Sequence, residues 1–118
     1  MKLLHPFLLA AATCLPLAAA AAYPDKPIRL VVPCAAGGGA DSAARVVAQR
    51  LATTMGQQVI IDNRDGDGGT IGANAVAKSA ADGYTLLFDA SAFAVNPSLR
   101  KLPYDTRKDC VPVSLVAW

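Results

Sequence analysis
Beyond residue 22, apolar positions follow two rhythms that take turns along the chain. The first is a short continuous run: Ile28-Arg29-Leu30-Val31-Val32, then Val59-Ile60-Ile61, then Tyr84 to Phe88. Such runs, rich in β-branched and aromatic residues and bounded by Gly, Pro, Asn or Asp, predict strands. The second rhythm has spacings of three and four. Ala44, Val47, Leu51 and Met55 share one face of a helix expected from Ser42 to Met55, with Arg45, Gln49 and Arg50 off that face. Asp41 is expected to cap this helix, and Gly56 to stop it. A second strand is expected over Gln58 to Asp62. A second helix follows from Ile71 to Ala80, with Ala75 and Val76 inward and Asp82-Gly83 after it. Asn96-Pro97 has the order of an N-cap and a first helical position, so a short third helix is expected to start there. Leu102 to Asp109 reads as extended and polar, and Val111 to Trp118 as a fourth apolar strand. Strands alternating with helices predict a parallel α/β sheet.

The first 22 residues stand apart. Met1-Lys2 is basic, Leu3 to Ala22 is almost wholly apolar, and small residues gather at Ala18 to Ala22. That is the pattern of a cleavable secretory signal peptide. A membrane anchor needs roughly 20 strongly apolar residues, and Pro16 and the alanines weaken that reading. A lipid anchor on Cys14 is disfavoured by Thr13 before it. The mature chain, from about residue 23 to Trp118, has fewer than about 100 residues and is one small domain.

Charge and residue counts then narrow the chemistry. The whole chain carries 11 basic and 9 acidic side chains, and every acid is aspartate. This near-balance gives no basis for a nucleic-acid or anionic-membrane partner. The single histidine is His5, inside the leader, so Ser-His-Asp or Cys-His catalysis and His-ligated metal are excluded within the mature segment. No enzyme is indicated. Cys34 and Cys110 remain after cleavage. In an oxidising compartment a pair of cysteines invites a disulfide. Cys34, however, follows one strand and Cys110 precedes another. In parallel strands the sulfurs would lie at opposite sheet edges, about 15 Å apart, and a bridge needs Cα atoms within about 7 Å. Two free, partly buried thiols are expected.

Two glycine-rich turns hold the candidate site. Pro33 to Asp41 follows the first strand and contains Gly37-Gly38-Gly39. Asn63 to Gly72 follows the second and contains Gly66, Gly68 and Gly69. In a parallel sheet these turns lie side by side at the carboxyl edge, where backbone N–H groups and helix N-termini suit an anion. A dinucleotide site would need G-x-G-x-x-G, and neither turn supplies it: from Gly66 and Gly68 the pattern requires glycine at position 71, which is Ile71. Asn63-x-Asp65-x-Asp67-Gly68 copies the start of a calcium loop. Its twelfth position is Asn74 rather than a bidentate Glu, and a strand rather than a helix precedes it.

The order of these motifs resembles a known group. Tyr23-Pro24-Asp25-Lys26-Pro27-Ile28-Arg29-Leu30-Val31-Val32-Pro33, Gly37-Gly38-Gly39-Ala40-Asp41 and Asp62-Asn63-Arg64 carry the likeness. So do Asp82-Gly83-Tyr84-Thr85-Leu86-Leu87, Asn96-Pro97, Leu102-Pro103-Tyr104-Asp105 and Pro112 to Val116. The chain resembles the substrate-binding proteins of the tripartite tricarboxylate transporters, the Bug receptors. The resemblance implies the amino-terminal part of the first lobe of a two-lobed, periplasmic-binding-protein-like α/β fold, truncated at Trp118. It implies a monomeric periplasmic receptor, without cofactor, that captures a small carboxylate for membrane transporter subunits. Its ligand-facing turns fall on Gly37, Gly38, Gly39 and Asp41, then on Asn63, Arg64, Gly66, Gly68 and Gly69, then near Ser91. The alternative is a truncated, non-functional remnant that binds no ligand.

Several residues depart from the family pattern. Cys34 and Cys110 stand where aromatics are usual. Asp65 replaces a proline, and Asp67 and Asp89 replace small residues. Asp65 and Asp67 place negative charge in a turn expected to receive a carboxylate, and a like charge at about 4 Å costs about 1 to 4 kcal/mol. With half of the cleft beyond Trp118, the isolated chain is expected to be marginally stable. Export is directly testable: amino-terminal sequencing of periplasmic protein is expected to begin between about Ala20 and Tyr23, and an intact Met1 in the membrane fraction would contradict the leader.

Overall fold
The computed structural model describes residues 20–116. Most of the leader expected over residues 1–22, and Trp118, lie outside them. Within them the order is β1 (Ile28–Val32), α1 (Gly39–Met55), β2 (Val59–Asn63), a single 3-10 turn (Asp67–Gly69), α2 (Thr70–Ala77), β3 (Thr85–Leu87) and α3 (Ser91–Leu99). The three strands form one parallel sheet in the order β2-β1-β3. The parallel α/β expectation holds.

β1 is central, and its composition explains why. A strand covered on both faces needs an unbroken apolar run, and Ile28, Val31 and Val32 are fully buried while Leu30 is nearly so. Leu30 pairs in register with Ile61 on one side and Leu86 on the other. On one face Leu30 and Val32 pack against Ala44 and Ala48 of α1, with Val59, Ile61, Leu86 and Phe88 around them. Small alanines at this contact let the helix lie close to the sheet. After β2 the chain reverses direction across the sheet to reach β3. The connection carries α2, which packs on β1 and β3, and a parallel crossover of this kind is right-handed as a rule. Gly72 of α2 is the closest approach: a Cβ there would lie 2.8 Å from Pro33 Cβ and 3.0 Å from the Arg64 carbonyl oxygen.

The amino-terminal segment is tied to the start of β3. The Tyr23 hydroxyl donates to the Gly83 carbonyl at 2.7 Å. The Tyr84 hydroxyl donates to the Asp25 carboxylate, and the Lys26 ammonium lies 4.4 Å from the centroid of the Tyr84 ring.

Other expectations need correction. β2 is shifted by one residue, to Val59–Asn63. α2 runs over Thr70–Ala77 rather than to Ala80. It buries Thr70, Gly72 and Ala73, and Ala75 and Val76 are only half-buried. α3 begins at Ser91, not at Asn96, and Pro97 lies inside its last turn. Its missing N–H leaves the Phe93 carbonyl without the donor four residues on, a loss of one hydrogen bond in the ladder. Leu102 to Asp109 is not extended throughout: the Asp109 N–H donates to the Asp105 carbonyl and closes a turn. Residues 111–116 form no strand; Val111, Val113 and Leu115 are about four-fifths exposed. Cys34 and Cys110 are both free and half-buried. That outcome matches expectation, but its stated reason does not survive, because the strand expected after Cys110 is not formed. Among the described residues no helix is long and apolar enough to cross a membrane.

Gly72→Ala is expected to push α2 off β1, because both atoms it would meet are anchored in the sheet edge. A loss of about 1 to 3 kcal/mol is expected, read as a lower midpoint in urea denaturation.

Candidate functional site at the carboxyl edge
All three strands end at one edge, and the turns that leave them lie together there. The first turn is braced from below. Asp41 was expected to cap α1, but Gly38 occupies that position and makes no side-chain cap. Asp41 instead sits in the first helical turn, almost fully buried. Its Oδ2 accepts the Gly37 N–H and the Arg45 Nε–H, both at 2.9 Å. Its Oδ1 accepts from Asn63 Nδ2 at 2.8 Å. Asn63 also donates to the Cys34 carbonyl at 3.3 Å. One carboxylate thus joins the first turn, the helix and the end of β2. The hydrogen bond from Arg45, with those from Gly37 and Asn63, lowers its pKa to about 2.

The second turn has an unusual backbone. Gly66, Asp67, Gly68 and Gly69 all have positive φ, at 124°, 48°, 62° and 88°. Only glycine adopts such values at no cost, so the three glycines are needed for the path and Asp67 is strained. α3 holds this turn in place. Asn96, buried, donates to the Gly68 carbonyl at 2.9 Å. Arg100 Nη1 donates to the Asp67 carbonyl at 3.1 Å and pairs with its carboxylate at 2.7 Å. Arg64 turns back along β2, with Nε 3.0 Å from Asp62 Oδ2. The Asp65 carboxylate accepts the Gly66 N–H at 2.8 Å. Asn63, Asp65 and Asp67 therefore face three different partners rather than a common centre. Among the described residues no cluster of acids, Cys and His could hold a metal ion.

The third turn begins at Asp89, whose Oδ1 accepts the Ala90 N–H at 2.7 Å. Its Oδ2 is buried without a partner. The carboxyl lies beside the second turn: a Cβ on Gly69 would be 3.7 Å from Asp89 Oδ2 and 3.6 Å from Pro33 Cβ. Burial pushes the Asp89 pKa up.

The ten expected site residues therefore divide into two groups. Gly37, Gly38, Gly39, Gly66, Gly68 and Ser91 build the turn surface, with Gly69 buried beneath it. Asp41, Asn63 and Arg64 spend their side chains on neighbours within the lobe. Several amides are also already used: Gly38 N–H donates to Ala35 O at 3.3 Å and Gly69 N–H to Gly66 O at 3.1 Å, as Gly37 and Gly66 donate to aspartates. Helix geometry leaves first-turn N–H groups of α1, α2 and α3 without intrahelical acceptors, and these converge at the same edge. Sequence reasoning missed Asn96, Arg100 and Tyr104. Tyr104 is buried and stacks on Phe93 at 6.3 Å between centroids. The available clue was Asn96-Pro97, which reads as a cap but buries its amide against the second turn.

The glycine-rich turns of this α/β lobe thus gather at the carboxyl edge where strand order reverses, which is where open α/β sheets bind their ligands. The model of the tripartite tricarboxylate transporter family receptor matches residues 43–118, and the chain belongs to that family. It is 50% identical over 97 residues to protein BugT of Bordetella pertussis, covering 80% of this chain and 30% of BugT. The solved structure of MatC from Rhodopseudomonas palustris with bound malate matches with a TM-score of 0.63 and 38% identity, over 74% of this chain and 30% of MatC. R. palustris Rpa4515 with adipate matches with a TM-score of 0.54 and 48% identity, over 55% of this chain and 22% of that one. The chain thus spans about a third of the length of the curated relatives it matches.

The Asp41 brace has a pH signature. Its folded pKa is depressed from 3.8 to about 2. The stability it contributes is therefore fully present above pH 3.8 and is lost as pH falls through about 2. Asp41→Asn is expected to lower stability at neutral pH and to flatten the acid limb between about pH 4 and 2, followed by circular dichroism.

Proposed function
We propose that this segment forms part of the ligand-binding lobe of an exported, periplasmic receptor. The receptor captures a small carboxylated organic molecule and delivers it to membrane subunits of a tripartite tricarboxylate-type transporter. The observation that carries this reading is the convergence of three helix amino termini and two glycine turns at one sheet edge. Together they offer N–H groups to one carboxylate. Relatives with malate and adipate in their solved structures support the substrate class. The family consists of receptors rather than enzymes, and the role requires no cofactor. Residues 1–22 act as a cleaved leader, and residues 23–118 as the amino-terminal part of the first lobe of a monomer. Gly37, Gly38, Gly39, Gly66, Gly68 and Ser91 face the ligand, while Asp41, Asn63, Arg64 and the buried Gly69 keep the turns in register.

The charges in the second turn modulate capture. Asp67 is offset by Arg100 at 2.7 Å. Among the described residues Asp65 has only a backbone N–H as partner. Calorimetric titration of malate and adipate into this chain, carried to receptor length with the remaining residues of BugT, tests the reading. Saturable binding of at least one of the two is expected, and a folded protein that binds neither overturns it. Asp65→Ala is expected to tighten binding by about 1 kcal/mol, roughly fivefold.

A further inference from the structure
Aspartate is followed by glycine at three places: Asp65-Gly66, Asp67-Gly68 and Asp82-Gly83. Such pairs are open to a reaction within the chain. The glycine amide nitrogen attacks the aspartyl Cγ and closes a five-membered succinimide ring. Glycine has no Cβ, so that nitrogen is unshielded. Folding decides which pair reacts, because the carboxyl must lie against the amide that follows it and must not be held elsewhere.

The three pairs differ in what holds the carboxyl. At Asp67 it is Arg100, 2.7 Å from Oδ1, rather than the Gly68 amide. At Asp82, Oδ1 accepts the Tyr84 N–H at 3.0 Å, one residue beyond the amide of Gly83, and Oδ2 lies 4.0 Å from the Lys26 ammonium. At Asp65, Oδ1 accepts the Gly66 N–H itself at 2.8 Å, and among the described residues this carboxylate has no ion pair. The nitrogen that would attack is thus the one already held against the carboxyl, and Cγ is a single bond from the oxygen it touches. Asp65 is also exposed, so water reaches it. Asp89 makes a similar contact, to the Ala90 N–H at 2.7 Å, but Ala90 carries a Cβ beside its nitrogen and the second Asp89 oxygen is buried.

The path of the turn makes the reaction matter. Before Asp65 the chain is fixed by the Arg64 N–H, which donates to the Val32 carbonyl at 2.9 Å. After it the chain is fixed at Gly68, whose carbonyl accepts from Asn96 at 2.9 Å. Isoaspartate sends the main chain through Cβ and Cγ and so adds one carbon between these two points. It also moves the free carboxylate onto Cα. A turn set by positive φ at Gly66, Asp67, Gly68 and Gly69 cannot take up an extra atom and keep its amides in place.

We propose that Asp65-Gly66 is a modification site, at which succinimide formation and hydrolysis convert Asp65 to isoaspartate and end carboxylate capture by the second turn. The effect on capture rests on the reading of this edge as the ligand site; the modification itself does not. Water is the only co-reactant. The bond from Gly66 N to Cγ forms as one Cγ–O bond breaks, and the departing oxygen leaves as water with the amide proton and the carboxyl proton. A second water then opens the ring. Attack at Cγ restores aspartate, and attack at the main-chain carbonyl carbon of residue 65 gives isoaspartate. Nothing is oxidised or reduced, and the final mass equals the starting mass.

Storage in warm neutral buffer tests this in the chain completed with the remaining residues of BugT, folded or in urea. Peptide mapping with fragmentation that distinguishes isoaspartate from aspartate then follows each pair. In the folded receptor Asp65 is expected to convert at least about tenfold faster than Asp67 and Asp82, and in urea the three are expected to convert at similar rates. Equal rates in the folded receptor, or faster conversion at Asp67 or Asp82, overturn the assignment. So does an Asp65 that converts in urea and stays unmodified when folded. Calorimetric titration of malate and adipate into the stored samples tests the effect on capture. The fraction of receptor that binds is expected to fall in step with isoaspartate at position 65. Asp65→Glu keeps the charge but would need a six-membered ring, and it is expected to retain its binding fraction on storage, as is Asp65→Ala. Full binding by the converted protein, or equal loss in both variants, overturns the effect on capture. A freshly made, folded receptor that binds neither acid overturns the receptor reading, and the mapping alone then decides the modification site.

Discussion
The carboxylate of Asp41 is the point on which the site's geometry depends. It receives an amide from the first turn, a guanidinium from its own helix and a side-chain amide from the end of β2. A glycine-rich turn has many conformations to lose on ordering, and three convergent hydrogen bonds to one buried anion select a single one. The negative charge also lies in the first turn of α1, where the helix dipole favours it. The brace explains why the first two turns cannot be treated as separate loops: a displacement of Asn63 is felt at Gly37 through one side chain.

The second turn solves the same problem by a different route. Four successive residues with positive φ give it a path that ordinary residues resist, and α3 supplies the restraint through Asn96 and Arg100. The Asp67–Arg100 pair is partly exposed, so it contributes modestly to stability. Its larger effect is local. It offsets at the turn surface a charge that would oppose an incoming carboxylate, and among the described residues it leaves Asp65 and Asp89 as acids at this edge without an ion-pair partner.

Much of this was legible in the residues, and the parts that were not share a cause. β1 was visible because a central parallel strand must be apolar on both faces. The α1 stripe and its Gly56 stop were visible because both depend on near neighbours; Gly56 does adopt the left-handed conformation, at φ 69°. The order of motifs was specific enough to indicate the family. What failed was every assignment decided by distant contacts. Asp41 has the identity of a cap and is used as a brace. Asn96-Pro97 has the identity of a helix start and lies inside one, because the Asn96 amide is claimed by Gly68. Val111 to Val116 has the pattern of a strand and forms none among the described residues, since pairing requires a neighbour that pattern alone does not supply. The glycine turns were located correctly, but which of their amides remain free depends on Asp41 and Asp65, whose side-chain directions no spacing encodes.

The strand order also has a kinetic consequence. Pairing Ile28 with Val59 joins positions about 30 apart, and pairing Arg29 with Thr85 joins positions about 55 apart. Loop entropy separates the two closures by only about 0.5 kcal/mol. The first, however, brings α1 onto the sheet at once and buries Leu30 and Val32 against Ala44 and Ala48. The β1-α1-β2 unit is thus the natural nucleus of the lobe, and β3 adds to an edge already held flat. Substitutions in β3 or α3 therefore bear on a later step than substitutions in the first unit.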